Sequence, residues 1–253
     1  MKYEKTYETN SGFTESEGDY YIKSVTPGVG LVVETMESKY NKDYESLILF
    51  YNVTAQTGEC KIYENLNTTD FVEAFVDHKK VDAATIMASN TYTFSKGPGI
   101  HTIMYRYKNF TNLPGDAFSR TPVMNVIFSD SVETISNMAF RLCDYIAQNS
   151  PVVIPRHVKS IGTSAFMLNN GQTNYRTFVC LPETPPATGD RVFSYYAGAW
   201  FKSATTIYVP YGCLQRYKDA GGDWWDETAR PQYRYNLQEL TEAETKKYFE
   251  KYK

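Results

Sequence analysis

The sequence predicts a mainly β protein: a short right-handed β-solenoid with a C-terminal cap, preceded by a small antiparallel β domain. Two observations predict this architecture. One short pattern recurs in the second half of the chain, and the first half has β-prone runs separated by turn residues, without a repeat. The 253 residues are enough for one large domain or two modest ones. We expect a β-rich domain at residues 1–98, the solenoid with its cap at 99–230, and a strand and helix at 231–253.

Three segments of the second half end in the same way. Each contains an apolar residue, then Leu or Ile three positions later, and then the pair Ala-Phe. The segments are Phe110–Phe118, Val132–Phe140 and Val158–Phe166. Three matches in register indicate a repeated structural unit. The shared positions are expected to form the structural core of the repeat: Leu113, Phe118, Val132, Ile135, Phe140, Val158, Ile161 and Phe166.

A β-prone run precedes each of these endings. In the second and third repeats the runs are Val126–Phe128 and Val152–Pro155, and their equal spacing from the following Phe fixes the strand register. In the first repeat, the run Thr102–Tyr105 would turn Arg106 inward, so we expect a one-residue shift or a β-bulge there.

Two more strands and a weaker Ala-Phe pair follow. The strands are predicted at Thr177–Pro182 and Thr205–Pro210, with Val192–Phe193 between them. A unit of one strand and one turn cannot bury its apolar edge alone, so stacking is expected to give a continuous core and a parallel ladder. The Ala is small because neighbouring coils approach closely there, and the Phe fills the space beneath it.

The pattern V-x-x-I-x-x-x-A-F, after a strand that ends in I-P, resembles the BspA-like leucine-rich repeats of surface proteins from gut and oral anaerobes and their phages. The resemblance covers about residues 100–220. Its terminal part comprises Leu181–Pro186, Thr206–Gly212, Arg216–Ala220 and Trp224–Trp225. The resemblance implies a leucine-rich-repeat-type solenoid that a strand and a short helix close. It also implies adhesion or ligand binding, with no shared substrate and no catalytic residue.

Residues 1–98 are expected to form a sheet or sandwich with a possible role as an anchor. The predicted strands are Tyr20–Val25, Leu31–Glu34, Ser46–Val53 and Cys60–Tyr63. Phe71–His78 fits either a short helix or a strand, and Ser95–Gly99 is the best candidate for the domain boundary.

The C-terminal residues predict a helix that begins with a capping box. Thr241 is the N-cap and Glu244 follows three residues later, which opens a helix to about Lys253. Ala243, Phe249 and Tyr252 could line one side of it. Two alternatives stay open, because this side fits either the helix's own domain or a partner protein.

The sequence predicts no catalytic, cofactor-binding or metal site. The three histidines, His78, His101 and His157, stand at no metal or catalytic spacing, and no Cys pair has the CxxC spacing. Buried free thiols are favoured for the four cysteines, and a disulfide between neighbouring turns stays open.

Composition argues against two classes of partner. The formal net charge of −3, with no basic stripe, gives nucleic-acid binding little electrostatic support. The longest strongly apolar run, Leu47–Tyr51, is far too short to span a membrane. No signal peptide is visible, so either export does not use one or it has been removed.

The candidate ligand-contact residues lie in an aromatic insertion that interrupts the repeat. They are Tyr195, Tyr196, Trp200 and Phe201. Insertions map to loops outside the stacked core, so these residues could form a contact patch. The alternative is that they plug the end of the solenoid. Asp223 and Asp226 flank Trp224–Trp225 and suggest a sugar site, although packed Trp residues are favoured there.

The function predicted from these features is a non-enzymatic, surface-presenting binding or adhesion module for a protein or glycan ligand, without a cofactor. The alternative is a structural decoration or fibre-type component of a phage virion or other large assembly, with neighbouring subunits as partners. The expected location is the cell surface or the extracellular space if a signal was removed, and a virion in the alternative.

Overall fold

The computed structural model shows a mainly β chain with several sheets. It describes residues 20–26, 30–35, 44–148, 150–168, 175–194, 205–225 and 235–251. The elements of the first part of the chain are β1 (Tyr20–Thr26), β2 (Gly30–Thr35), β3 (Glu45–Val53), β4 (Glu59–Lys61), β5 (Phe71–Val76), β6 (Lys79–Val81), α1 (Ala83–Met87), β7 (Thr91–Thr93) and β8 (Gly99–Tyr107). The four strands predicted here correspond to β1, β2, β3 and β4, and Phe71–His78 is largely strand.

A five-stranded antiparallel sheet organises this part of the molecule. Its order is β10-β3-β8-β5-β6, where β10 (Val123–Ile127) comes from the repeat region. Separately, β1 pairs with β2 and β4 pairs with β7, both antiparallel. The alternation of side chains along β3 buries both faces of the sheet, since Leu47 and Leu49 join the main core while Ile48 and Phe50 join a second cluster.

The first predicted repeat strand requires a correction. Residues 102–105 lie within β8, where they pair antiparallel with β3 and β5 instead of lying in a parallel ladder. Arg106 does not point into the main core with Tyr105 and Tyr107. Its guanidinium donates to Glu73 at 2.8 Å and lies 4.9 Å from the centre of the Phe75 ring. A register shift does occur beside it, in β5 between Phe71 and Glu73.

The repeat region carries two parallel ladders. The first consists of two-residue strands, β9 (Asn112–Leu113), β11 (Thr134–Ile135), β13 (Ser160–Ile161) and β15 (Ala187–Thr188). The second consists of β12 (Val152–Ile154), β14 (Arg176–Cys180), β16 (Thr205–Val209) and β17 (Asn236–Glu239). Every neighbouring pair in both ladders is parallel. We call these ladder one and ladder two.

The sheets cross the predicted domain boundaries. The five-stranded sheet combines β3, β5 and β6 with β8 and β10, which follow the boundary at residues 98 and 99. Ladder two likewise combines β16 with β17, which follows the boundary at residues 230 and 231. One hydrophobic cluster includes residues on both sides of each boundary, from Leu47 to Leu237.

Two helices accompany the C-terminal end of ladder two. They are α2 (Leu214–Ala220) and α3 (Glu242–Lys251). The capping box at the start of α3 is confirmed, because the Thr241 N–H donates to Glu244 at 2.9 Å and the Glu244 N–H donates to the Thr241 hydroxyl at 3.2 Å. Ala243 is exposed, which differs from the expected buried side, and Tyr252 lies outside the described residues.

Candidate functional site

The Ala-Phe phenylalanines of successive coils form one column. Phe118 and Phe140 stack with ring centroids 5.4 Å apart, and Phe140 and Phe166 with centroids 5.2 Å apart. Phe193, from the weaker Val-Phe pair, continues the column 5.6 Å from Phe166 and at an interplanar angle of 5°. Tyr105 of β8 lies 6.3 Å from Phe118, so the column begins at the antiparallel sheet.

The other predicted core residues occupy equivalent positions. Leu113, Ile135 and Ile161 are direct partners along ladder one. Val132 and Val158 are buried with them in the main cluster. The repeat spacing thus corresponds to one layer of core per coil.

Backbone hydrogen bonds keep the coils in register at the Ala-Phe pair. The Phe118 N–H donates to the Ala139 carbonyl at 2.8 Å, and the Phe140 N–H donates to the Ala165 carbonyl at 2.7 Å. The Phe166 N–H donates in the same way to Val192 at 2.8 Å. The side chain at this position is buried in every coil: it is Ala117, Ala139 and Ala165 in the first three coils and Val192 in the last.

The residue before each Ala-Phe pair has a left-handed backbone. The φ angles are 56° at Asp116, 58° at Met138, 56° at Ser164 and 55° at Arg191. A non-glycine residue in this region carries a conformational cost. Because four different side chains share the conformation, no sequence signal revealed it. It recurs at the same place in each coil.

The coils also meet closely just after ladder one. A Cβ atom on Gly162 would lie 2.4 Å from the Asn137 backbone nitrogen, and one on Gly189 would lie 2.3 Å from the Thr163 nitrogen. Glycine is needed at both positions for this close approach. The coil-to-coil distance is therefore set by backbone contact on this side.

Residues that precede the three Ala-Phe segments bond to the N-terminal end of the stack. The carbonyls of Ala139 and Ala165 each accept a hydrogen bond from the preceding coil. The equivalent carbonyl of Ala117 accepts from the Glu64 N–H at 2.9 Å. The Asn65 side chain donates to the Gly115 carbonyl at 2.9 Å. The carbonyls of Ala117 and Gly115 are thus bonded within the chain.

Side chains from beyond the last coil bond to its other end. The Val192 N–H donates to Asp223 at 2.7 Å, and the Phe193 N–H donates to the Tyr235 hydroxyl at 3.3 Å. The Tyr235 hydroxyl donates to Asp223 at 2.8 Å, and burial raises the pKa of this Tyr well above its ordinary value. Trp224 lies 5.8 Å from the Phe193 ring, and its indole N–H donates to Pro186 at 2.8 Å.

Trp224 is therefore packed, and Asp223 is engaged with the backbone, which argues against a sugar site at these two residues. Asp226 lies outside the described residues.

The coils differ most in the connection between their Phe and the next strand of the sheet or ladder. These connections are residues 119–122, 141–151, 167–175 and 194–204, and the first is much the shortest. Their ends lie side by side: the Leu142 N–H donates to Met167 at 2.6 Å, and the Leu168 N–H donates to Ser194 at 3.1 Å. We call the side of the stack where these connections leave and return the loop edge.

Two tyrosines of the loop edge are exposed. Tyr145 is 39% exposed and Tyr175 is 79% exposed. The Thr177 N–H, two residues after Tyr175, donates to the Ala147 carbonyl at 2.9 Å, which brings the two connections together. The candidate contact residues Tyr195, Tyr196, Trp200 and Phe201 belong to the next connection and lie outside the described residues. The flanking residues Ser194 and Thr205 are described, and both lie at this edge.

The outer face of ladder two is covered by α3. Val153, Val179 and Leu181 form an apolar cluster there, against which Tyr248 and Phe249 pack. Thr245 is buried, and its hydroxyl accepts from the Tyr211 N–H at 2.9 Å. Of the two alternatives for this helix, packing on its own domain is the one observed.

The histidines have structural partners. His101 is buried, with one ring nitrogen 2.7 Å from Asp77 and the other 2.9 Å from the Gly97 carbonyl. His157 lies on the surface, 2.9 Å from the Asp130 carbonyl. Burial lowers the pKa of His78 to about 4.

All four cysteines are free. Burial raises the pKa of Cys60, Cys143 and Cys180 to about 12, and that of Cys213 above its ordinary value. These are poor nucleophiles and poor metal ligands in the protonated state. Within the described ranges no group of three or more His, Cys, Asp or Glu side chains could hold a metal ion, and no helix has the length and apolar character to cross a membrane.

A protein-family model described as a BspA type leucine rich repeat region matches residues 50–147, which are less than half of the chain. The family model matches in 6 copies, which confirms the resemblance seen in the sequence. The matched segment includes Phe118 and Phe140. Phe166 and Phe193 follow it, and their geometry puts them in the same column. The comparisons with curated proteins and with solved structures give no match.

A BspA-type repeat region is typical of protein-binding or adhesion modules. The sequence analysis found the residues that stack and missed three residues that bond to the last coil. It considered Asp223 only as part of a possible sugar site, and it assigned no role to Tyr235 or Arg176.

Proposed function

We propose that this chain is a non-enzymatic binding or adhesion module that engages a protein ligand through the loop edge of a leucine-rich-repeat-type β-solenoid. The observation that carries the proposal is the convergence of successive connections at one edge, with Tyr145 and Tyr175 exposed there. A Tyr that is 79% exposed buries little apolar area in the free protein and gains contact area on binding.

The rest of the stack supports this role by its rigidity. The phenylalanine column and both ladders fix the ends of each connection, whereas the connections themselves vary in length and composition. Binding residues carried by loops on a rigid scaffold form the common arrangement for recognition. The connection 194–204 is rich in aromatic residues. We propose its aromatic side chains as further contact residues: Tyr195, Tyr196, Trp200 and Phe201.

Hydrogen bonds at both ends of the phenylalanine column support a discrete module. Glu64 and Asn65 at one end, and Tyr235 and Trp224 at the other, bond to backbone groups that another coil would use. Partners are then expected at the side of the stack, and a fibre built by end-to-end stacking of chains is disfavoured. A laterally attached decoration of a virion remains the alternative. We propose a cell-surface or extracellular location for the binding module.

The proposal is tested by measuring binding to a panel of purified surface proteins and, in parallel, to a glycan array. The variants are Tyr145→Ala with Tyr175→Ala, and Trp200→Ala. Tyr211→Ala is the matched control, since Tyr211 is 57% exposed but lies next to α3. We expect a protein ligand whose affinity falls at least about tenfold in the loop-edge variants and is unchanged in the control. No ligand in the protein panel, or an equal loss in the control, would contradict the proposal; binding confined to glycans would correct its ligand class.

A further inference from the structure

A completely buried arginine lies beneath the loop edge. Arg176, the first residue of β14, has an exposed fraction of 0%. Its guanidinium donates to the Phe166 carbonyl at 2.7 Å and to the Thr205 hydroxyl at 3.1 Å, and also to the Phe193 carbonyl. The side chain packs against the ring of Phe178, 5.6 Å from its centre.

These partners flank the connections of two coils. Phe193 is the last residue before the connection 194–204, and Thr205 is the first residue after it. Phe166 is the last residue before the connection 167–175, and Arg176 itself follows that connection. One guanidinium therefore bonds to the residue before each connection and to the residue after the connection 194–204. Arg176 is itself the residue after the connection 167–175.

The remaining backbone groups at this entry are also bonded by side chains. Asp223 accepts from the Val192 N–H, and the Tyr235 hydroxyl accepts from the Phe193 N–H. Burial raises the pKa of Tyr235, and the positive charge of Arg176 lowers it by a smaller amount. Arg176 and Asp223 thus belong to one buried polar network around Phe193.

Stability alone does not account for an arginine at this position. Burying a guanidinium removes it from water at a large cost, whereas an apolar side chain of similar volume would avoid that cost. What arginine adds is a rigid, planar set of donors that can reach several acceptors in fixed directions. Lysine has the charge without this geometry.

We propose that Arg176 is a positioning residue for the binding surface: it holds Phe166, Phe193 and Thr205, the described residues at the ends of two connections, in fixed positions relative to one another at the loop edge. The functional meaning of this inference rests on the proposed function. Its structural consequence, that the ends of these connections loosen without the guanidinium, can be measured without any ligand.

The experiment compares Arg176→Lys with the wild type by amide hydrogen exchange and by ligand binding. We expect faster exchange at residues 192–194 and 205–207, unchanged protection at Ile135 and Ile161, and an affinity at least about tenfold lower for the protein ligand found in the panel. Arg106→Lys is the matched control, because Arg106 is also buried but bonds to Glu73 in the five-stranded sheet. It should leave exchange at both connection ends and the affinity unchanged.

A milder variant covers the case in which Arg176→Lys does not fold. Thr205→Val removes one acceptor and keeps the volume, and we expect a smaller increase in exchange confined to residues 205–207. Unchanged exchange at the connection ends, or an equal increase at Ile135 and Ile161, would overturn the inference. Faster exchange at the connection ends with unchanged affinity would also overturn the inference. That result would leave the proposed function intact. If the panel yields no ligand, the proposed function fails, and the exchange pattern alone decides the positioning role.

Discussion

The rings of Phe140 and Phe166 are stacked at an interplanar angle of 7°, with their centroids 5.2 Å apart. These residues are 26 positions apart in the chain and occupy the same place in successive coils. This contact joins the two coils in one continuous core. Each of the two rings is stacked on both sides, Phe140 between Phe118 and Phe166, and Phe166 between Phe140 and Phe193. The stability of the repeat region is therefore expected to depend on this column more than on any single strand.

Phe140→Ala should lower the free energy of unfolding by about 3–5 kcal/mol, because it removes a fully buried ring with two stacking partners. Urea denaturation followed by circular dichroism measures this. Tyr175→Ala, at an exposed ring, should change stability by less than about 0.5 kcal/mol. A loss below about 1 kcal/mol for Phe140→Ala would show that the column does not carry the core.

Gly162→Ala should cost about 1–3 kcal/mol, because the new methyl group would overlap the Asn137 backbone of the preceding coil. Ser136→Ala is the control, since Ser136 holds the equivalent position one coil earlier and already has a Cβ atom. The midpoint of thermal unfolding should fall clearly in the first variant and little in the second. Equal midpoints would mean that the coils can separate there without loss.

His78→Asn should flatten the dependence of stability on pH. Burial lowers the pKa of His78 to about 4, so the unfolded chain binds a proton more readily than the folded chain between about pH 6.5 and 4. Wild-type stability should therefore fall through this window as the pH is lowered, with a contribution from His78 on the order of 2 kcal/mol. Asn tolerates the left-handed backbone at this position, where φ is 67°.

The measurement for His78 is urea denaturation of both proteins at pH 7.5 and pH 4.5. The comparison at the higher pH gives the cost of the substitution itself, because the imidazole is neutral in both states there. An identical loss of stability on acidification in both proteins would be inconsistent with this assignment.

The four thiols should be almost unreactive in the native protein. Burial raises the pKa of each, to about 12 for Cys60, Cys143 and Cys180, so very little thiolate is present at pH 8. A chromogenic disulfide reagent should titrate slowly under native conditions and should detect all four thiols in denaturant without reductant. Fewer than four thiols in denaturant would reveal a disulfide.

Thr241→Ala should destabilise the first turn of α3 by about 1 kcal/mol, because it removes the hydroxyl that bonds the Glu244 N–H. Hydrogen bonds from Thr241 lower the pKa of Glu244. The stabilisation by this carboxylate is therefore present above the ordinary Glu pKa and is lost as the pH falls through the lowered value. Amide exchange should increase in α3 and stay unchanged in ladder one. An increase in both would assign Thr241 to the main core instead.

Much of the repeat was predictable from particular residues. Phe118, Phe140 and Phe166 stand in register in the sequence, and their alignment in one column followed from the need of each coil to cover the next. The strands β12, β14 and β16 were predicted to within a few residues, since each ends at a short apolar run before Pro or Leu. The capping box of α3 was predicted because it depends on only four consecutive residues.

Where the repeat begins was not predictable. The run Thr102–Tyr105 has the composition of a repeat strand, but it pairs antiparallel with β3 and β5, which lie some 30 to 60 residues earlier. Strand composition indicates a pleated, half-buried segment and carries no information about its partner. For the same reason the boundary expected at residues 98 and 99 is crossed by the sheet.

The sequence by itself determined the repeating unit, the identity of its core residues and the start of the last helix, because these depend on local spacing and on which side chains avoid water. Tertiary structure decided the partners of β8 and β10, the side-chain hydrogen bonds at both ends of the phenylalanine column, and the gathering of Arg176, Phe193 and Thr205 beneath one edge. Those outcomes depend on hydrogen bonds between distant parts of the chain, and many different residues could have supplied them.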